Sequence, residues 1–160
     1  VLPAALARAT WPIGVHRATY ALGAAAPVAL YLYLWLFVAN AAADGAAAPL
    51  PYVPVLNPLD LACLAVMLAL AGWYLALRRH RLAARVAPGE AAVALGVAAF
   101  AWANGALLRT LHHWAGIPYG LDDMLRSTLA QSAISVFWTL LAVGAMLVAT
   151  RSARRPLWMA

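Results

Sequence analysis

Arg109, His112 and His113 lie three and four residues apart. On a helix this spacing puts one guanidinium and two imidazoles on a single arc. A guanidinium fork suits phosphate oxygens, and an imidazole is the usual side-chain general base, so the chemistry implied is the handling of a phosphate-bearing substrate. Asp122 and Asp123 follow closely and could orient an imidazole or replace it as base, while Arg126 adds a second guanidinium. Ser127, Gln131, Ser135 and Trp138 then recur at intervals of four, four and three, which gives them one face of the next helix. Asn104, two turns before His112, offers an amide deeper in the same helix. The expected catalytic set is therefore His112, His113, Asp122 and Asp123. The expected substrate-binding set is Arg109, Arg126, Ser127, Gln131, Asn104 and Trp138. Each residue also has a plain structural role open to it. Arginines at helix ends snorkel to the membrane surface, Asp122 can cap a helix, and Ser and Gln hydrogen-bond neighbouring helices together. Adjacent histidines on a helix point about 100° apart, unlike a zinc-gripping i, i+4 pair. Phosphate-cradling glycine loops and nucleophile elbows are missing as well. Neither a metal nor a cofactor is expected.

The elements that must position these residues follow from composition. Hydrophobic residues make up 66% of the 160 and charged residues 10%, against roughly a quarter charged in an average soluble domain. A soluble fold would lack the polar residues to cover itself. Four apolar stretches, residues 20–43, 57–77, 90–111 and 125–150, approach or exceed the roughly twenty residues needed to cross a hydrocarbon core. Within lipid a lone segment must satisfy its own backbone amides and carbonyls, so runs of this length are helices. The predicted fold is all-α: a polytopic transmembrane bundle of four spans arranged as two helical hairpins, one membrane domain over residues 1–160. Val1 in place of an initiator Met, and a closing Arg154–Ala160 that reads like the approach to another span, make the chain an expected excerpt of a longer protein. The remaining transmembrane helices of that protein would be partners, with membrane lipids.

All eleven Lys-plus-Arg residues are arginine, a usage that fits a bacterial high-GC genome. Arg8, Arg17, Arg78, Arg79, Arg81, Arg85, Arg151, Arg154 and Arg155 fall on one side of the four spans. Arg109 and Arg126 fall on the other, with Asp44, Asp60, Asp122 and Asp123. Positive residues in short loops stay cytoplasmic, so the termini and the middle loop are expected in the cytoplasm of a bacterial inner membrane. Arginines beside apolar runs favour a membrane surface over nucleic acid, and no nucleic-acid partner is expected.

Local signals refine the helices. Asn57-Pro58-Leu59-Asp60 reads as an N-cap, a first-turn proline and an acid at a positive helix terminus, and Pro88-Gly89-Glu90 starts the third helix. Pro27 predicts a kink in the first span. Gly72 with Ala76, Ala92 with Gly96, and Ala101 with Gly105 are small pairs that allow close helix approach. Trp11, Trp35, Trp73, Trp114, Tyr31, Tyr33, Tyr52, Tyr74 and Tyr119 are read as interfacial anchors, and Cys63 as a small buried apolar residue. Pro51-Tyr52 with Leu59-Asp60 and Pro118-Tyr119 with Leu121-Asp122 leave a duplicated hairpin open.

The stretch from Tyr52 to Ala62, then Leu108-Arg109-Thr110-Leu111-His112-His113-Trp114 with Gly116-Ile117-Pro118-Tyr119, Ser127, Gln131, Ser135 and Trp138, resembles the C-terminal part of domain of unknown function 2339. Members of this bacterial family look like very long multi-spanning membrane proteins, and the resemblance covers roughly residues 50–160. It implies a membrane protein and no established activity. Two functions stay open. One is part of an enzyme acting at the periplasmic face on a lipid-linked envelope substrate, in glycan or phosphoryl transfer. The other is a non-catalytic scaffold or transport component.

Overall fold

The computed structural model describes residues 15–82 and 87–152. The anchor Trp11 and the orientation-bearing Arg8, Arg85, Arg154 and Arg155 lie outside the described residues. The described chain is helical: α1 over Thr19–Ala42, α2 over Pro58–Arg79, α3 over Pro88–Ala115, a short α4 over Leu121–Arg126 and α5 over Thr128–Ser152. Four of these are long and apolar enough to cross a membrane, so the all-α transmembrane fold holds. Contacts gather the chain into two units, Val1–Ala106 and Leu107–Ala160.

In the first unit, α2 shows why the surroundings must be lipid. Cys63, Leu70 and Leu77, seven residues apart, are buried, whereas Leu61, Leu68 and Leu75 on another face are exposed by 49%, 73% and 54%. In water that outer stripe would be polar; in a bilayer leucine is the ordinary choice. Cys63 and Leu70 of the buried stripe meet Ala29 and Leu36 of α1 and Ala98 of α3, with Tyr33, Phe37, Trp73 and Trp102 filling the margins.

Polar bonds set how the helices run. Arg17 and Ala21 bond His80 and Trp73 respectively, rising along α1 while falling along α2, which makes the pair antiparallel. Tyr33 Oη donates to the Ala94 carbonyl at 3.1 Å and Asn40 Nδ2 to the Ala101 carbonyl at 2.6 Å. Both partners advance by seven residues, about 10.5 Å of helix, so α1 and α3 run parallel and side by side. Alternate spans of a serpentine membrane chain must do so.

The helix starts follow their sequence signals. Asn57 Oδ1 accepts from the Asp60 amide at 3.0 Å, with Pro58 at the first helical position. Glu90 Oε2 accepts from the Ala87 amide at 3.1 Å, one arm of a capping box before α3. At Pro27 the irregularity takes the form of a π-helical stretch, Thr19–Ala24, in the preceding turns. Proline cannot bond the Gly23 carbonyl and its ring crowds that group, so widening the turn before it relieves the conflict. Among the small pairs, Ala101 with Gly105 receives Asn40, while a Cβ at Gly96 would meet nothing within 4 Å.

In the second unit, α3 continues to Ala115, four residues beyond the expected apolar run. Gly116, at φ +70°, stops it, its amide bonding the His112 carbonyl at 3.1 Å in a left-handed cap. Ser127 Oγ accepts from the Ala130 amide at 3.3 Å and thereby caps α5. Leu129, Val136, Leu140, Met146 and Leu147 of α5 are exposed, again as lipid contact allows.

Candidate functional site

The residues nominated for chemistry divide between the two units. In the second, Arg109 is completely buried, one helical turn before two half-buried histidines. His112 is held twice: its carbonyl takes the Gly116 amide, and its Nδ1 lies 2.7 Å from the Ile117 carbonyl. A carbonyl only accepts, so Nδ1 carries the hydrogen and the lone pair of the neutral ring belongs to Nε2. The His112 ring stands edge-on to His113, centroids 4.7 Å apart, and tilts against Tyr119 at 5.7 Å. The cap therefore fixes both the direction and the tautomer of this imidazole. General bases are commonly prepared in this manner, with a second group orienting the one that takes the proton.

The other nominated residues of this unit are more open. Asp122, Asp123 and Arg126 lie on α4 and are exposed. Gln131 Nε2 bonds the Leu125 carbonyl and Ser135 Oγ the Gln131 carbonyl at 2.9 Å, so these side chains secure the start of α5. Trp138 is 52% exposed on the same helix.

The first unit holds Asn104, whose amide donates to the Phe100 carbonyl at 2.8 Å in its own helix. It also holds a polar node that the spacing of nominated residues does not mark. Asp60 is fully buried; Asn57 Nδ2 bonds its Oδ2, and Trp102 Nε1 donates to its Oδ1 at 3.0 Å. The N-terminal dipole of α2 adds a favourable field to this carboxylate. Asp60 thus joins the cap of α2 to α3, and the sequence signal for it is the acid three residues after Asn57. Asn40 could be noticed as the one amide inside the first span. Trp102 resembles any interfacial tryptophan.

The family model described as a predicted membrane protein, DUF2339, matches residues 1–160, including the first fifty. The chain belongs to this family. No curated protein and no solved structure matches it. Membership in DUF2339 agrees with four apolar helices and leaves the activity to be argued from the residues.

Proposed function

We propose that this DUF2339 chain is a membrane module of the bacterial inner membrane whose periplasmic end of α3 handles a phosphate-bearing, lipid-linked envelope substrate. The orientation rests on the arginine bias, which puts both termini in the cytoplasm. Arg109 and Arg126 bind phosphate oxygens. His112 is the general base through Nε2, with His113, Asp122 and Asp123 as its partners or alternates. Ser127, Gln131 and Trp138 line the substrate path, and Asn104 offers its amide deeper along α3. The observation that carries this reading is the bond between His112 Nδ1 and the Ile117 carbonyl, which leaves the ring's basic nitrogen to the opposite edge.

A second reading, a non-catalytic scaffold or transport component, draws on Ser127, Gln131 and Ser135, whose side chains bond the backbone at the start of α5. The variant His112→Asn separates the two. Its amide can still donate to the Ile117 carbonyl from near the Nδ1 position but has no basic nitrogen at Nε2. In cells, normal membrane abundance with lost complementation of a deletion supports the catalytic reading. Full complementation by His112→Asn overturns it.

A further inference from the structure

We propose that the end of the first unit at which α1 begins and α2 stops binds the phosphate of an anionic phospholipid headgroup. Arg78, Arg79, His80 and Arg81 close α2, and Arg17 stands at the base of α1. These arginines are not used up in capping the helix. The His80 amide bonds the Ala76 carbonyl, the Arg81 amide bonds Arg78 at 3.0 Å, and the Leu82 amide bonds Leu77 at 2.9 Å. Those last two bonds form a Schellman closure made by the main chain alone. Its left-handed position, which glycine ordinarily fills, is occupied by Arg81 at φ +57°. A charged side chain therefore stands where backbone preference argues for none.

Two buried polar atoms lie in the same part of the unit. Arg17 Nε and Tyr74 Oη are shielded from solvent and have no hydrogen-bond partner among the described residues. Tyr74 precedes Arg78 by one turn of α2, and Arg17 is tied to the helix end through His80. In that tie Arg17 Nη1 lies 3.1 Å from His80 Nδ1. A guanidinium only donates, so Nδ1 accepts and Nε2 of His80 carries the hydrogen. The helix end thus presents guanidinium and imidazole donors, with the Tyr74 phenol one turn deeper on α2. The one acid that the chain order brings to this end, Glu90, is engaged with the Ala87 amide. A phosphate diester oxygen accepts from all three donor types and carries the compensating charge. The membrane supplies it, because this cluster terminates spans of 24 and 22 residues and so sits at headgroup depth.

The test uses the purified chain in nanodiscs of phosphatidylcholine alone or with phosphatidylglycerol, with retained lipid counted by native mass spectrometry. The wild type should retain phosphatidylglycerol selectively, and Arg17→Gln should weaken that retention about tenfold, the loss expected for a charge-assisted bond. Tyr74→Phe, which removes one oxygen and leaves the fold intact, should weaken it about threefold. Arg151→Gln, which removes one arginine from the second unit, should leave it unchanged. Equal retention by Tyr74→Phe and wild type overturns the site, as does an equal loss in Arg151→Gln, which would mean diffuse attraction. Displacement of the lipid by excess inorganic phosphate overturns the headgroup assignment in favour of a free anion.

Discussion

Substitution of Gly105 by alanine probes the contact that joins α1 to α3. A Cβ built at Gly105 falls 2.5 Å from Asn40 Cγ and Nδ2, and closer still to Oδ1. Carbon atoms pack at about 3.5–4.0 Å, so one partner must retreat by about an ångström. Asn40 cannot yield cheaply, because it is buried and its amide holds the Ala101 carbonyl at 2.6 Å. Overpacking of this kind costs about 1–3 kcal/mol. Losing an interhelical hydrogen bond in a membrane adds about 0.6 kcal/mol. Gly105→Ala should therefore destabilise the chain by about 2–4 kcal/mol, roughly a 30- to 850-fold fall in the folding constant. The assay is reversible unfolding in mixed micelles of dodecyl maltoside and SDS, followed by tryptophan fluorescence and helical circular dichroism. Repeating it in an Asn40→Ala background removes the atoms in the way, and Gly105→Ala should then cost less than about 0.5 kcal/mol. An equal cost in both backgrounds would refute the contact, as would no cost in either.

Other residues give sharper or simpler outcomes. Asn57→Ala removes a helix cap, about 1 kcal/mol, and deprives the buried Asp60 of a donor, about 1–3 kcal/mol. The same unfolding assay should show a loss of about 2–4 kcal/mol, exceeding that of Trp102→Phe. Arg81→Gly relieves a left-handed residue and should stabilise the chain by about 1 kcal/mol while lowering phosphatidylglycerol retention, two opposite effects from one substitution. For orientation, Gly120→Cys should react with a membrane-impermeant maleimide added outside spheroplasts and Gly89→Cys only after lysis. Cys63, fully buried, should stay silent in both.

The spans are legible because lipid imposes a coarse demand, about twenty apolar residues with a helical backbone, and Asn57-Pro58 and Pro88-Glu90 mark two starts by local chemistry. The end of α3 is less legible. The apolar run closes at Leu111, yet the helix that carries His112 and His113 persists to Ala115 because its backbone bonds do not depend on hydropathy. Gly116 is the signal that fixes the true end, and with it the carbonyl that orients His112. The spacing of Arg109, His112 and His113 can be read directly from the chain. The partners of Asn40, Asp60 and Trp102 cannot, since they depend on how far one helix slides past another. Pro27 announces a disturbance in α1 without saying that it becomes a π-helical stretch.

An alanine-rich helix offers neighbours many nearly equivalent resting places, and dispersion forces alone distinguish them poorly. If α1 slid along α3 by two turns, Tyr33 would find another carbonyl, but Asn40 would face the side chain of Ala98 or His112 in place of Gly105. One-turn slips bring Ala101 or Arg109 to the same spot, and Gly96 lies on the opposite side of the helix. A single missing methyl group thus works like the notch of a key. Among the settings that the smooth surface would tolerate, it leaves one in which the amide can both fit and bond.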